Sequence, residues 1–383
     1  MLAMKVVIDA VGIFGHGGAT VLKDLLHWLP KARPDWTWHV FLSDRQSRDF
    51  DDPWVAQRVV LESVKLGNSK WSRLLWINVL LQRRVRELDA NVIFSFANVG
   101  SIRPARKQVV FCHQPNAFFK EANQAWQAMM NIHMFILRQF ILTSLRPSTA
   151  VIVQTKAMKN KIIEFYPSVK CKTHIIPSGY SGCISSTNIR SSKKILIDQN
   201  AGPQFVYVSA VRPPKNHMLL LKAFSHILRV FPKATLLLTA DLESTKNAQE
   251  KALTLELQNE AKRLSIKDRV VWLGLLNKEE VGYVYCKCDM LLFPSLTESF
   301  GLPLVEAMSE NCLIAASDLP YAHDVLGDAA VYFDPNDEYS IAETVVKLLQ
   351  SEDQRQQLLA NALKKKKCFE YQVISEQIIS VLA

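Results

Sequence analysis

Residues 290–308 join a short apolar segment, a polar loop and the start of a helix, and this pattern constrains the fold more than any other. The apolar segment 290–293 is followed by Pro294, as is typical of a buried strand. Gly301 lies in the loop, and Pro303 suits the first turn of a helix, where its missing N–H is not needed. Such a turn directs backbone N–H groups and the positive end of a helix dipole at one point, where phosphates bind.

Two carboxylates flank this turn. Glu298 lies in the loop and Glu306 lies about one turn into the helix, with seven residues between them. Carboxylates would not bind a phosphate, but they accept hydrogen bonds from hydroxyl groups such as those of a sugar or a ribose. The turn therefore predicts a site for a molecule that carries both phosphate and hydroxyl groups. An ordinary turn with two solvated carboxylates is the alternative.

The chain of 383 residues is too long for one ordinary core, and both halves predict an α/β domain. Apolar segments alternate with helical patterns, which is typical of parallel sheets with helices on both faces. The strand candidates are 5–9, 39–42, 92–95, 108–113, 150–154 and 174–176, then 205–208, 234–239, 270–273, 290–293, 313–316 and 331–333. Residues 178–203 are rich in Gly, Ser and polar residues, which favours an interdomain linker.

Composition indicates a reduced protein with anionic partners. Seven Cys are scattered without a metal-like Cys-x-x-Cys pair, which is typical of the cytoplasm. The N-terminus runs straight into residues 5–9, so we expect no signal peptide. Residues 125–145 contain too many polar side chains for us to expect a membrane span. The net charge of +10 suits phosphorylated donors, an anionic membrane surface or nucleic acid.

The stretch from Glu298 to Glu306, with Phe300-Gly301-Leu302-Pro303 inside it, resembles the signature of retaining glycosyltransferases of the GT-B fold, glycosyltransferase family 4. Segments 316–320 and 327–335 follow at the family's spacing. The resemblance implies two doubly wound Rossmann-like domains facing a central cleft, with the acceptor-side domain at 1–177 and the nucleotide-sugar domain at 204–355. It implies that residues 356–383 return as a last helix to the N-terminal domain.

The resemblance also implies roles for the residues of the second half. Glu306 would accept hydrogen bonds from the ribose hydroxyls, and Glu298 would hold a hydroxyl of the donor sugar. Lys215 would stabilise the leaving diphosphate, which gains negative charge as the glycosidic bond breaks. Five further residues would contact the donor: three that follow Glu298 in the loop, the first residue of the helix, and one in the loop that faces the nucleotide base. These are Ser299, Phe300, Gly301, Leu302 and Leu275.

Arg212 is a candidate second cation for the diphosphate. Many family members carry an Arg five residues before the phosphate-binding Lys, but this chain has Ala210 there and Arg212 three residues before Lys215. A second departure is Asn311, which stands where the family usually has Gly. Because Asn tolerates left-handed backbone angles, we expect that turn to survive. A purely solvated role for Lys215 and Arg212 is the alternative.

The first half offers two further candidates. His113 follows the apolar segment 108–112, and side chains at the carboxyl ends of parallel strands lie where α/β sheets bind ligands. The resemblance gives it contact with the donor sugar near the reacting carbon, and a structural His that caps a strand is the alternative. Gly17 and Gly18 belong to a glycine-rich turn after the first strand that resembles the family's loop near the diphosphate or acceptor. The spacing of these glycines alone fits a tight turn without a ligand equally well.

Three segments raise the question of a membrane contact. Trp71, Leu74, Leu75, Asn78, Leu81 and Val85 fall at helical spacing within the basic segment 69–88, and 126–136 is rich in apolar residues. Packing of both on the sheet is the interpretation we favour, with contact to an anionic bilayer as the alternative. The same choice applies to the lysine run 364–367, where a solvated helix face is favoured.

The sequence therefore predicts a hexosyltransferase of mannose or glucose type, without metal or other cofactor, in bacterial surface polysaccharide synthesis. Its partners would be a nucleotide-diphosphate sugar and a glycan or lipid-linked acceptor, at the cytoplasmic side of the membrane. A GT-B-fold sugar-nucleotide epimerase is an alternative, which a donor-only assay separates. A basic nucleic-acid-binding protein is another, but the Lys and Arg residues are dispersed and no aromatic-basic RNA motif is present.

Overall fold

The computed structural model describes residues 4–13, 16–44, 50, 52–66, 70–119, 128–180, 202–243 and 247–383. These residues form two compact units. Unit 1 contains the described residues up to 179 together with 369–383, and unit 2 contains the described residues from 180 to 368. Most of the predicted linker, residues 181–201, lies outside the described residues. Among the described residues, no helix combines the length and apolarity needed to cross a membrane.

Unit 1 is built on a parallel sheet of seven strands in the order β3-β2-β1-β4-β5-β6-β7. The strands are β1 (Lys5–Asp9), β2 (Thr37–Ser43), β3 (Val59–Val64), β4 (Val92–Ser95), β5 (Lys107–Phe111), β6 (Ala150–Val153) and β7 (Thr173–Ile175). All were predicted except β3, an edge strand that pairs with β2 and whose side chains are mostly partly or fully exposed. It therefore lacks the continuous apolar pattern that identified the buried strands.

The helices of unit 1 connect these strands and cover both faces of the sheet. The α-helices are His16–Ala32, Pro53–Ala56, Lys70–Leu75, Leu81–Glu87, Ala128–Leu145, Lys156–Phe165 and Tyr371–Leu382, with a π-helical segment at Trp76–Leu80. Short 3₁₀ turns lie at Pro115–Ala117 and Pro167–Lys172. The last helix, Tyr371–Leu382, packs against the first, His16–Ala32.

The segment from 70 to 87 is one continuous helix whose middle is π-helical. The N–H of Leu81 donates to the carbonyl of Trp76, five residues earlier. This wider turn changes the side-chain phase, so the buried face is formed by Trp76, Ile77, Leu81 and Val85. The predicted packing on the sheet is confirmed, but Trp71 and Leu75 were wrongly grouped with that face. Both side chains are exposed.

Unit 2 is a second parallel sheet, with six strands in the order β10-β9-β8-β11-β12-β13. Its strands are β8 (Gln204–Tyr207), β9 (Thr235–Leu238), β10 (Val270–Trp272), β11 (Met290–Phe293), β12 (Leu313–Ser317) and β13 (Val331–Phe333). The α-helices are His217–Val230, Ala248–Arg263, Lys278–Lys287, Leu302–Ser309, Pro320–Leu326, Glu338–Gln350 and Glu352–Lys365, with 3₁₀ turns at Pro213–Lys215, Lys267–Arg269 and Lys366–Phe369. The prediction of two parallel-sheet α/β domains is confirmed.

Candidate functional site

Two loops of unit 2 meet where the strand order of its sheet reverses. β8 and β11 are neighbours in the sheet although they are distant in sequence. The loops that follow them therefore leave the carboxyl ends of adjacent strands, which is where α/β sheets bind ligands. The N–H of Leu296 donates to the carbonyl of Pro214 at 2.8 Å, and the hydroxyl oxygen of Ser295 lies 3.3 Å from the same carbonyl oxygen. These contacts fasten the two loops to each other.

An ion pair between Lys215 and Glu298 lies at this junction. The Nζ of Lys215 donates to Oε1 of Glu298, and the side chains are 25% and 13% exposed. The hydroxyl of Ser295 donates to the same carboxylate oxygen at 2.9 Å. The phenol of Tyr321 donates to the carbonyl of Ser295 at 2.6 Å, and the phenol of Tyr207 donates to the carbonyl of Lys215 at 2.9 Å. Both charged residues are thus held by neighbours that are themselves buried.

Burial keeps the groups around this ion pair uncharged. Burial first, and the charge of Glu298 second, raise the pKa of Tyr207 and of Tyr321 well above the ordinary value. Burial first, and the charge of Lys215 second, lower the pKa of His217 to about 3. The two phenols are therefore neutral hydrogen-bond donors, and the imidazole is neutral as well.

The helix Leu302–Ser309 begins as the sequence predicted. Gly301 is its N-cap with φ of 86°, a left-handed conformation that favours glycine, and Pro303 lies in the first turn. Gly301 has no side chain that could cap this turn. A Cβ atom on Gly301 would lie 3.0 Å from Cδ1 of Leu304, so the position has little room for a side chain. A helix start with a glycine N-cap and its positive dipole end is an arrangement that binds phosphate.

Glu306 lies on this helix with its side chain partly buried. Its charge adds to burial, the larger cause, in raising the pKa of Tyr285 on the neighbouring helix. The side chain of Phe300 is buried in the loop, and that of Ser299 is partly exposed. The structure therefore brings together the loop of Lys215, the loop of Glu298 and the start of the helix that carries Glu306.

Arg212 and Leu275 stand apart from the ion pair. The guanidinium of Arg212 is exposed and its Nε donates to Oε1 of Glu250 at 3.0 Å, on the helix Ala248–Arg263. Leu275 is exposed in the loop after β10, the edge strand of the sheet, two strands from β8. Their roles with a diphosphate and a nucleotide base stay predictions.

In unit 1, His113 and Gly18 lie close to each other. Gly17, the other predicted glycine, is exposed. A Cβ atom on Gly18 would lie 3.8 Å from Nε2 of His113. The backbone N–H of His113 donates to Oδ1 of Asn98 at 2.7 Å, and the Asn98 amide lies 3.4 Å from Nε2. Burial lowers the pKa of His113 to about 4, so its imidazole is neutral at physiological pH.

A buried cluster around Asp9 supports the same end of the sheet and was missed from the sequence. Asp9 ends β1 and accepts hydrogen bonds from Arg73 at 3.0 and 3.2 Å and from the indole of Trp76 at 3.0 Å. A Cβ atom on Gly12 would lie 2.9 Å from the guanidinium of Arg73. An acidic residue at the end of an otherwise apolar strand was the available signal, because a buried carboxylate needs a partner.

Two family models match the chain over most of its length. The model described as Glycosyltransferase Family 4 matches residues 15–181, and the model described as Glycosyl transferases group 1 matches residues 188–365. The chain belongs to glycosyltransferase family 4. The stretch with Lys215, Glu298 and Glu306 lies within the second match, and Gly17, Gly18 and His113 lie within the first.

This family 4 chain is similar to proteins of known role. It is 35% identical to the O-antigen chain mannosyltransferase RfbU of Salmonella typhimurium over 26% of this chain and 28% of that protein. It is 27% identical to the O-antigen chain mannosyltransferase B of Escherichia coli over 46% and 44%. The matched region thus spans less than half the length of these relatives. The crystal structure of Anabaena Alr3699/HepE in complex with UDP-glucose shares the fold, with a TM-score of 0.72, 17% identity and 99% coverage of both chains.

The family 4 chain tolerates its departure at Asn311. This residue adopts φ of 59°, the left-handed conformation for which the family usually has Gly. The expectation that the turn survives is confirmed, because Asn reaches this conformation at a lower cost than most residues. β12 begins two residues later, at Leu313.

Proposed function

We propose that this protein transfers a hexose, of mannose or glucose type, from a nucleotide-diphosphate sugar to a glycan or lipid-linked acceptor, with retention of the anomeric configuration. The observation that carries this proposal is the ion pair of Lys215 with Glu298, which lies in the loop that leads to the glycine N-cap of the helix Leu302–Ser309. The similarity to O-antigen mannosyltransferases and to a UDP-glucose complex supports the donor class. The pathway would be bacterial surface polysaccharide synthesis.

The diphosphate is assigned to Lys215 and the helix start. An ammonium group and a helix N-terminus both favour negative charge, and the charge of the diphosphate rises as the glycosidic bond breaks. The phenol of Tyr207 donates a hydrogen bond to the backbone carbonyl of Lys215, so the position of this residue does not depend on its side chain alone. Its ammonium group can therefore turn from Glu298 to an incoming phosphate while the loop stays in place.

Glu298 and Glu306 are assigned to hydroxyl groups of the donor. Lys215 and Ser295 both donate to Oε1 of Glu298, and the second carboxylate oxygen would accept from a sugar hydroxyl. Glu306 would accept hydrogen bonds from the ribose. The neutral imidazole of His113 would contact the donor sugar near the reacting carbon, without adding a charge where an oxocarbenium-like centre develops.

In the proposed reaction, the bond between the anomeric carbon and the phosphate oxygen breaks, and the diphosphate leaves with the electron pair. An acceptor hydroxyl attacks the same face of the sugar and forms the new bond. Its proton passes to the phosphate oxygen that leaves, so no protein nucleophile and no metal ion is needed. We further propose that the protein works in the cytoplasm, at the inner face of the plasma membrane.

The test is a transfer assay with UDP-, GDP- and ADP-sugars, after thermal shift has shown which donor binds. Glu306→Ala should abolish transfer while circular dichroism and the melting temperature stay close to those of the wild type. Turnover near the wild-type rate in this variant would refute the site assignment. NMR of the first product should show the donor's anomeric configuration, and activity should persist in excess EDTA. Conversion of the donor without any acceptor would favour an epimerase.

A further inference from the structure

Two helical segments of unit 1 lie side by side on one face of its sheet. Val7 pairs with Ile93 in the parallel register, and Val110 pairs with Val151, so these side chains point to the same face. Ile77, Leu81 and Val85 of the segment 70–87 pack on Val7 and Ile93. Ile141 and Leu145 of the helix Ala128–Leu145 pack on Val110 and Val151, and Val99 contacts both clusters.

The loop between β4 and β5 joins the two segments. Asn78, in the π-helical turn, accepts hydrogen bonds from the N–H of Ile102 at 3.0 Å and from the hydroxyl of Ser101 at 3.2 Å. The N–H of Gly100 donates to the hydroxyl of Ser144 on the helix Ala128–Leu145 at 3.1 Å. The outward sides of the two helical segments and the tip of this loop therefore belong to one layer.

The outward side of this layer is unusually apolar. Trp71 is 78% exposed, Ile132 is 64% exposed, and the other members are also more than a third exposed. We name this set the apolar face of unit 1: Trp71, Leu75, Val79, Leu80, Ile102, Ile132, Phe135, Ile136 and Phe140. Both segments pack against the sheet through one side, as favoured, and each has a second apolar side that the described residues leave exposed. In the second segment, Ile132, Phe135 and Ile136 were wrongly placed in the packed core. Apolar patches of this kind mark interaction surfaces.

The segments that carry the apolar face have an excess of positive charge. Segments 70–107 and 128–150 contain ten Lys or Arg residues and two acidic residues, Glu87 and Asp89. Arg106 pairs with Asp89, and Arg73 pairs with the buried Asp9. Glu87 already pairs with Arg83 and Arg84. Arg103, next to Ile102, and Arg146, at the end of the helix Ala128–Leu145, are exposed. A partner with negative charge at its surface and apolar groups beneath it would therefore match this face.

We propose that the apolar face of unit 1 docks on the surface of an anionic phospholipid bilayer. Trp and Phe side chains enter the boundary between headgroups and acyl chains, while flanking Arg side chains attract anionic headgroups. A protein partner would need a matching acidic surface with an apolar centre, whereas a bilayer supplies both over any area. If the proposed function also holds, docking would place the enzyme where lipid-linked acceptors lie.

The experiment is flotation of the full chain with vesicles of phosphatidylcholine, with or without phosphatidylglycerol, in the absence of any nucleotide sugar. The wild type should float with the anionic vesicles and should be released by high salt. Trp71→Ser combined with Phe135→Ser should weaken binding by about tenfold for each residue, because each buries a large apolar side chain in the bilayer. A second variant, Arg103→Glu with Arg146→Glu, should lose the preference for phosphatidylglycerol.

Leu255→Ser is the matched control, since Leu255 is an exposed apolar residue on a helix of unit 2. It should bind vesicles as the wild type does, and all variants should keep the wild-type melting temperature because the substituted side chains are exposed. Absence of wild-type flotation, or equal flotation of the Trp71/Phe135 variant, would overturn the proposal. So would a wild-type dimer in sedimentation that the Trp71/Phe135 variant abolishes. Because no donor is present, a failed transfer assay has no bearing on this result.

Discussion

Removing the ammonium group of Lys215 tests the candidate site most directly. Lys215→Met replaces the lysine by an unbranched, uncharged side chain that is one atom shorter, so the loop and the contact of Tyr207 with the carbonyl of residue 215 should remain. One preorganised group that stabilises a developing negative charge contributes about 10²–10³ in rate. We therefore expect kcat/KM to fall about a hundredfold, with most of the loss in kcat because the diphosphate gains charge in the transition state.

The same substitution should cost little stability. Loss of one partner of a fully buried ion pair costs about 3–5 kcal/mol, because it leaves a charge buried alone. Here the Lys215 side chain is 25% exposed, and the Glu298 carboxylate keeps the hydrogen bond from Ser295. The exposure and that bond reduce the expected cost to about 1–2 kcal/mol. Urea unfolding of Lys215→Met beside the wild type measures this difference.

Two further variants make the result interpretable. Lys222→Met changes a lysine on the following helix, His217–Val230, and should leave kcat/KM unchanged. Glu298→Gln should lower kcat as well, and the double variant with Lys215→Met should lose less than the two single effects combined, because the two side chains are in contact. A folded Lys215→Met enzyme whose kcat/KM stays within about threefold of the wild type would refute the role of this cation.

The remaining predictions concern positioning and conformation. Ser295→Ala should lower kcat about tenfold and leave KM nearly unchanged, since Glu298 loses one donor, and Ser295→Thr should restore part of the rate. Gly301→Ala should lower the free energy of unfolding by about 1–2 kcal/mol in urea titrations, because φ of 86° is strained for Ala. The folded-state pKa of His113, about 4, lies below its ordinary value of 6.5. Between these two pH values the unfolded chain therefore binds more protons than the folded chain does. The free energy of unfolding should therefore fall as pH drops from 6.5 to about 4, with a shallower fall in His113→Gln; equal slopes would contradict this assignment.

The local parts of the site could be predicted from sequence because short-range chemistry determines them. A strand that ends just before Pro294, a loop, Gly301 and a helix with Pro303 in its first turn all follow from backbone preferences of neighbouring residues. The left-handed turn at Asn311 follows for the same reason. These features needed no knowledge of the other strands.

The second apolar side of the segment 70–87 could not be predicted in this way. The sequence argument assumed a constant period of 3.6 residues per turn, which groups Trp71 and Leu75 with Leu81 and Val85. The π-helical turn at Trp76–Leu80 breaks that period, and the indole of Trp76 reaches Asp9 while Trp71 is exposed. The contact between Trp76 and Asp9 joins residues that are 67 positions apart in the chain, and no local sequence pattern contains such a contact.

The pairing of Lys215 with Glu298 depends on the order of the strands rather than on either loop. Lys215 follows β8 and Glu298 follows β11, with β9 and β10 between them in sequence. The sheet places β9 and β10 on one side of β8 and β11 on the other, so the loops after β8 and β11 become neighbours. Right-handed crossovers permit this order but do not require it. Only the resemblance to family 4 indicated that Lys215 and Glu298 serve one site. The hydrogen bond from the N–H of Leu296 to the carbonyl of Pro214 shows how the two loops are held together.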